Sequence, residues 1–107
     1  MGAKAFKNLE YTIDASGNKI PFETINLANC LYIGAEAFYN CTKLTTVSFE
    51  GKSDSVIPVL DNINSFYTIE NTLNTKVNIY VPAKLYNTWR VAPNWIALDS
   101  AGMLKTI

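Results

Sequence analysis

Gly-Ala-Lys-Ala-Phe at positions 2–6 returns as Gly-Ala-Glu-Ala-Phe at 34–38, a spacing of 32 residues. A second stretch, Phe22-Glu23-Thr24-Ile25-Asn26-Leu27, returns in type as Leu44-Thr45-Thr46-Val47-Ser48-Phe49 at a spacing of 22. A unit this short cannot bury its own apolar face, so such units must stack and share one core. The two spacings differ by 10, and one insertion in the first unit, between Phe6 and Phe22, reconciles them. It is placed at residues 11–20, where Ser16-Gly17-Asn18 is a turn signal between two short alternating runs. A small hairpin or loop bulging from the first unit is predicted there. Without it the period is about 22 residues.

A third unit is fainter. Val77-Asn78-Ile79-Tyr80-Val81 alternates apolar and polar residues, and aligning it on the second unit matches Val47 with Ile79 and Phe49 with Val81. Asn62-Ile63-Asn64-Ser65-Phe66 then stands where Gly34–Phe38 stood, with its Phe kept. Residues 67–76 are polar and read as loop. In a strand, alternate side chains face opposite ways. Phe22, Ile25, Leu27, Leu44, Val47, Phe49, Ile79 and Val81 are therefore expected inward, with the Ala-Phe pairs filling the opposite wall. At 107 residues there is room for one core. The expected organisation is a single domain, 1–107, with units at about 2–32, 33–61 and 62–81 and a cap at 82–107.

The cap is read from the tail. Pro82 can open a helix at its first turn, and Leu85, Tyr86, Trp89 and Val91 follow at near-helical spacing. Pro93 breaks that helix. Asn94 is expected to cap a second helix through Trp95, Ile96 and Leu98, with Gly102 as its stop. Both tryptophans are read as buried packing. At the other end the chain begins inside a unit, so the first unit is expected to be part of a longer repeat array, open at its edge and prone to self-association.

Ile33, Gly34, Ala37, Phe38, Cys41, Leu44, Val47 and Phe49 together resemble a repeat of the BspA-type bacterial leucine-rich repeats, I-G-x-x-A-F-x-x-C-x-x-L-x-x-[IV]-x-[LF]. The tail from Ile79-Tyr80-Val81-Pro82 to Asn94-Trp95 is similar to the way many of those chains end. The resemblance implies an α/β fold: a short right-handed leucine-rich-repeat solenoid with parallel strands on one face and a C-terminal helical cap. It also implies a cell-surface or secreted bacterial protein used in adhesion or recognition. Met1–Glu10 has no hydrophobic stretch of the secretory type.

The chemistry is sparse. There is no histidine, which removes the commonest general base and zinc ligand. Cys41 is expected as a buried thiol, with a disulfide to Cys30 and a catalytic role as the alternatives; the last lacks a base to activate it. Glu23, Glu36, Glu50, Asp54 and Asp61 suggest no carboxylate pair, and Phe49–Val56 reads as a surface loop around Gly51, Lys52, Ser53 and Asp54. Asn40-Cys41-Thr42 matches an N-glycosylation sequon only weakly. Nine basic and nine acidic residues are scattered without a basic stripe, which argues against nucleic acid. No apolar run approaches membrane-spanning length. No enzyme, no metal and no cofactor is expected. The residues between the inward ones form two outward rungs: Thr24, Thr46 and Asn78, then Asn26, Ser48 and Tyr80. This polar, uncharged face, with Tyr80 as a stacking platform, is the candidate site for a protein or glycan ligand; the alternatives are a plain solvated sheet and a purely structural role as terminal cap or spacer of a larger repeat protein.

Overall fold

The computed structural model describes all 107 residues. The architecture is mixed α/β, with a parallel sheet and few helices. In chain order the strands are β1 (Tyr11–Ile13), β2 (Lys19–Pro21), β3 (Thr24–Asn26), β4 (Tyr32–Ile33), β5 (Thr46–Ser48), β6 (Val59–Leu60), β7 (Asn78–Val81) and β8 (Leu104–Thr106). Two short helices, α1 (Tyr86–Trp89) and α2 (Trp95–Ser100), lie between β7 and β8, and single 3-10 turns occupy Ile63–Phe66 and Ala83–Leu85.

The main sheet has the order β3-β5-β7-β8, with every neighbouring pair parallel. Its register sets Ile25, Val47, Ile79 and Leu104 in one row. Val47 and Ile79 are wholly buried; Ile25 is only half-buried, because β3 is an edge strand with nothing beyond it. A second, two-stranded parallel sheet pairs β4 with β6.

The Ala-Phe wall stacks in step with the strands. The rings of Phe6, Phe38 and Phe66 follow one another at 5.4 Å, nearly parallel. That spacing follows from the backbone. Parallel neighbours lie about 4.8 Å apart, so equivalent side chains in successive layers meet face over face. Phe6 N–H donates to the Ala37 carbonyl (2.7 Å) and Asn8 N–H to Tyr39 (2.8 Å). One layer on, Phe38 N–H donates to Ser65 (2.9 Å) and Asn40 N–H to Tyr67 (2.8 Å). The turns repeat too: Lys4 and Glu36 have φ of 59° and 57°, Asn8 and Asn40 of 64° and 55°. Asparagine tolerates this left-handed conformation best among residues with a side chain. Gly34 is required for another reason. A Cβ there would lie 2.6 Å from the Gly2 carbonyl carbon and 2.8 Å from Ala3 Cα, so the first layer packs directly on its bare backbone.

The segment 11–21 is the expected excursion, an antiparallel hairpin with Thr12 opposite Ile20 and every residue exposed. Asp14 accepts from the N–H groups of Ser16 and Asn18, both at 2.9 Å, and closes its turn. Residues 67–76 form a loop bridged between Tyr67 and Leu73, with Asn71 left-handed at its tip.

The tail departs from expectation in four ways. The strand β8 lies inside the segment assigned to a helical cap and forms the fourth parallel strand. Asn94 heads α2 with φ +67° but makes no side-chain cap; its amide donates to the carbonyls of Leu60 (2.7 Å) and Asp61 (3.2 Å), tying the helix to β6. Val91 lies past the end of α1 and is exposed, as is Ile96 on the outer side of α2. Gly102 does stop α2: its N–H donates to Asp99 and that of Met103 to Leu98, the paired bonds of a Schellman closure with glycine at φ +77°. Trp89 and Trp95 are buried with Phe49 in an edge-to-face cluster, centroids 4.7–6.2 Å apart. Trp95 Nε1 donates to the Pro58 carbonyl at 2.8 Å, while Trp89 Nε1 is buried without an acceptor.

Lys52 lies in the expected loop but not on its surface. Its side chain is fully buried, with Nζ 2.8 Å from Asp54 Oδ1. No other acceptor meets this buried ammonium. Asp54 is held below the usual carboxylate range by Lys52, helped by the Val56 N–H.

Candidate functional site

The register brings the six sequence-chosen residues together. Thr24, Thr46 and Asn78 stand in one row across β3, β5 and β7, and Asn26, Ser48 and Tyr80 in the next but one. The residues between them, Ile25, Val47 and Ile79, turn to the core because the period of a strand is two. Thr24 and Asn26 are exposed; Thr46, Ser48, Asn78 and Tyr80 are half-buried.

The rows differ in what their side chains are free to do. Asn26 donates to the Glu50 carbonyl (3.1 Å) and accepts from the Ala28 N–H (2.8 Å), so its amide is used at both ends in shaping the turns after β3 and β5. Ser48 Oγ accepts from the Glu50 N–H at 3.1 Å. Thr24, Thr46 and Asn78 have no such commitments.

Two residues that the sequence reading left out of the site, Lys105 and Tyr86, adjoin the second row. Lys105 of β8 pairs in register with Tyr80. Beside it, Tyr80, Tyr86, Leu104, Lys105 and Thr106 line a broad, open depression of about 590 Å3. Tyr86 is fixed there from behind: its hydroxyl donates to Asp99 (3.2 Å), and Arg90, bonded to the same carboxylate at 3.2 Å, lies over its ring. The signal for β8 was present in Met103–Ile107, where apolar and polar residues alternate after a glycine stop. The face thus ends in two tyrosines and a lysine, a surface able to stack on a flat or ring-shaped ligand and to donate hydrogen bonds around it.

Elsewhere the groups that could do chemistry are quiet. Both cysteines are free. Cys41 is buried, its Sγ donates to the Phe6 carbonyl at 3.0 Å, and burial pushes its thiol up to about 11. A thiol in that state is a poor nucleophile at neutral pH. No three His, Cys, Asp or Glu side chains are gathered in one place. No helix is long and apolar enough to cross a membrane. Compared with protein-family models, with curated proteins and with solved structures, the chain finds no match.

Proposed function

We propose that the chain is a non-catalytic recognition module of the BspA-type leucine-rich-repeat kind, acting at a bacterial surface or after secretion, and that the outer face of its parallel sheet holds a protein or glycan ligand. In this reading the stacked layers form a short right-handed solenoid closed by the two helices and β8. The parallel strands in register and the Phe6–Phe38–Phe66 ladder support it. The observation that carries the ligand assignment is the depression where Tyr80 and Tyr86 meet Lys105 at the end of two polar rows. A rigid sheet presenting preset side chains loses little entropy on binding.

The test is an amide-resolved NMR titration against extracellular-matrix proteins, mucins and a glycan array in solution. Saturable shifts on Thr46, Asn78, Tyr80 and Lys105, lost in Tyr80→Ala with the fold intact, are expected. A flat response from all of these with every partner removes the recognition reading.

One observation favours a second reading. Asn26 and Ser48 spend their side chains on the turns that follow their own strands, as a terminal cap or spacer segment of a larger repeat protein would. For that role, the same titration is silent while the domain remains folded.

A further inference from the structure

The loop 67–76, which carries no readable repeat, builds a cleft of about 270 Å3 against Asn40–Thr42. It lies where the chain leads into β5 and β7, away from the depression around Tyr80. Most of its lining residues are polar in type, namely Asn40, Thr42, Thr68, Glu70, Asn74 and Lys76, with Cys41 and Ile69 between them; much of the surface they turn to the cleft is hydrocarbon. We propose that this cleft is a second binding site and that it takes one neutral sugar ring at the end of a glycan.

Four features of the cleft choose that chemistry. Asn74 is half-buried and its side-chain amide makes no hydrogen bond within the chain, leaving a donor and an acceptor side by side. Asn40 uses only its Nδ2, on Asn8 Oδ1 at 2.9 Å, so its Oδ1 remains an acceptor. Planar amides and a carboxylate suit the adjacent hydroxyls of a sugar, each of which both gives and takes a hydrogen bond. Charge selects against ionic ligands. Glu70 and Lys76 offset each other, so the cleft presents no net charge to a carboxylate or a phosphate, and one of the three Lys76 donors is already spent on the Thr42 carbonyl. Ile69, exposed on the cleft's rim, supplies the apolar surface that the C–H face of a sugar ring needs.

Size and rigidity agree. The volume is just below the range of about 300–1,000 Å3 for drug-sized pockets, which suits a single ring with the rest of its chain outside. The loop is held open by its own bonds: Thr68 N–H donates to Thr72 (2.8 Å), and Tyr39 Oη, reaching from the neighbouring layer, donates to Asn71 Oδ1 at 2.9 Å. The site therefore exists before its ligand arrives.

The experiment uses the full chain and named probes: the methyl glycosides of glucose, galactose, mannose and N-acetylglucosamine, with sialic acid, glucosamine and the dipeptide Gly-Asn as controls. Chemical shifts are followed by NMR. At least one neutral glycoside is expected to saturate, with a dissociation constant on the order of 1–10 mM, moving the amides of Asn40, Thr42, Glu70 and Asn74. Asn74→Ala and Glu70→Gln should each weaken it by about 3–10-fold, the loss of one or two good hydrogen bonds. Glu70 lies on an exposed loop, so Glu70→Gln remains informative if Asn74→Ala disturbs packing. Tyr80→Ala should leave this binding unchanged, which separates it from the sheet face. Binding of only the charged or dipeptide controls, or no saturable shift at the cleft with any glycoside up to about 50 mM, overturns the proposal.

Discussion

At the β8 end of the sheet, Trp89, Trp95 and Phe49 are all at most 1% exposed and pack edge to face. At the β3 end, Phe6 and Ile25 are half-buried, and β3 has a neighbour on one side only. Beyond the stacking of Phe6 and Phe22 on Phe38, the first layer is held to the second by polar links: the backbone ladder, the Lys7–Glu36 pair (2.7 Å), the Asn8–Asn40 amide contact and the Cys41 thiol on the Phe6 carbonyl. Each is worth little in water, where breaking it costs only an exchange of partners. The far end is held by apolar area, which has no such exchange available. One repeated sheet thus has a strongly and a weakly fastened end, and the open edge is the end that local unfolding should reach first.

The largest test strikes the strong end. Trp89→Ala should cost about 3–5 kcal/mol in urea denaturation, a large part of what a domain of this size has. Phe6→Ala, half-buried at the weak end, should cost only about 1–2 kcal/mol. Equal losses would erase the contrast.

Next comes the joint between the first two layers. Gly34→Ala drives a methyl into the Gly2–Ala3 backbone and should cost about 1–3 kcal/mol, with amide exchange accelerated across residues 1–9 before the sheet responds. Gly2→Ala meets nothing within 4 Å and should change stability by less than about 0.5 kcal/mol. A cooperative loss of the whole fold in Gly34→Ala would show that the weak end is not a separate unit.

Alkali and acid should loosen the same joint. The Cys41 thiol, about 11 in the fold against 9.0 ordinarily, favours the folded state below pH 9, and that contribution falls as pH rises from 9 toward 11. Cys41→Ala should flatten this limb of a pH–stability curve, and alkylation at pH 8 should reach Cys30 well before Cys41. In acid the sign reverses. The hydrogen bond from Lys7 lowers the Glu36 carboxyl, so its stabilisation is full above the ordinary value of 4.5 and is lost as pH falls below it. Protection of the Phe6 and Asn8 amides, taken relative to their intrinsic exchange rates at each pH, should therefore fall on acidification, and less so in Lys7→Met. This is the smallest effect, because both groups are partly exposed.

The sheet was legible wherever one residue type recurs at one depth. Val47 and Ile79, or Phe38 and Phe66, declare their register because burial admits so few substitutes. The hairpin declared itself through Ser16-Gly17-Asn18. What stayed hidden were features set by distant partners. Lys52 reads as solvated from its neighbours in sequence, yet its side chain is buried beside Asp54. Asn94 reads as a cap, yet its amide is taken by β6, 33 and 34 residues away in the chain. The strand β8 was masked by the tryptophans before it, which speak for helix. The cleft was invisible because its two walls come from different layers, and neither carries a motif. Of the sheet face, the two rows could be read from period alone, but not that Asn26 is already used or that Tyr86 completes the depression.

Chain leaves the first layer at Glu10 and rejoins it at Phe22, and those two residues are joined by one backbone hydrogen bond of 2.8 Å. To the layer, the departure and return points are neighbours, and the length between them is immaterial. The loop-closure cost grows only slowly with added residues. The hairpin tip at Ser16–Gly17 is therefore a natural port for grafted peptides, affinity tags or fluorophores, where cargo could be displayed without disturbing the stack behind it.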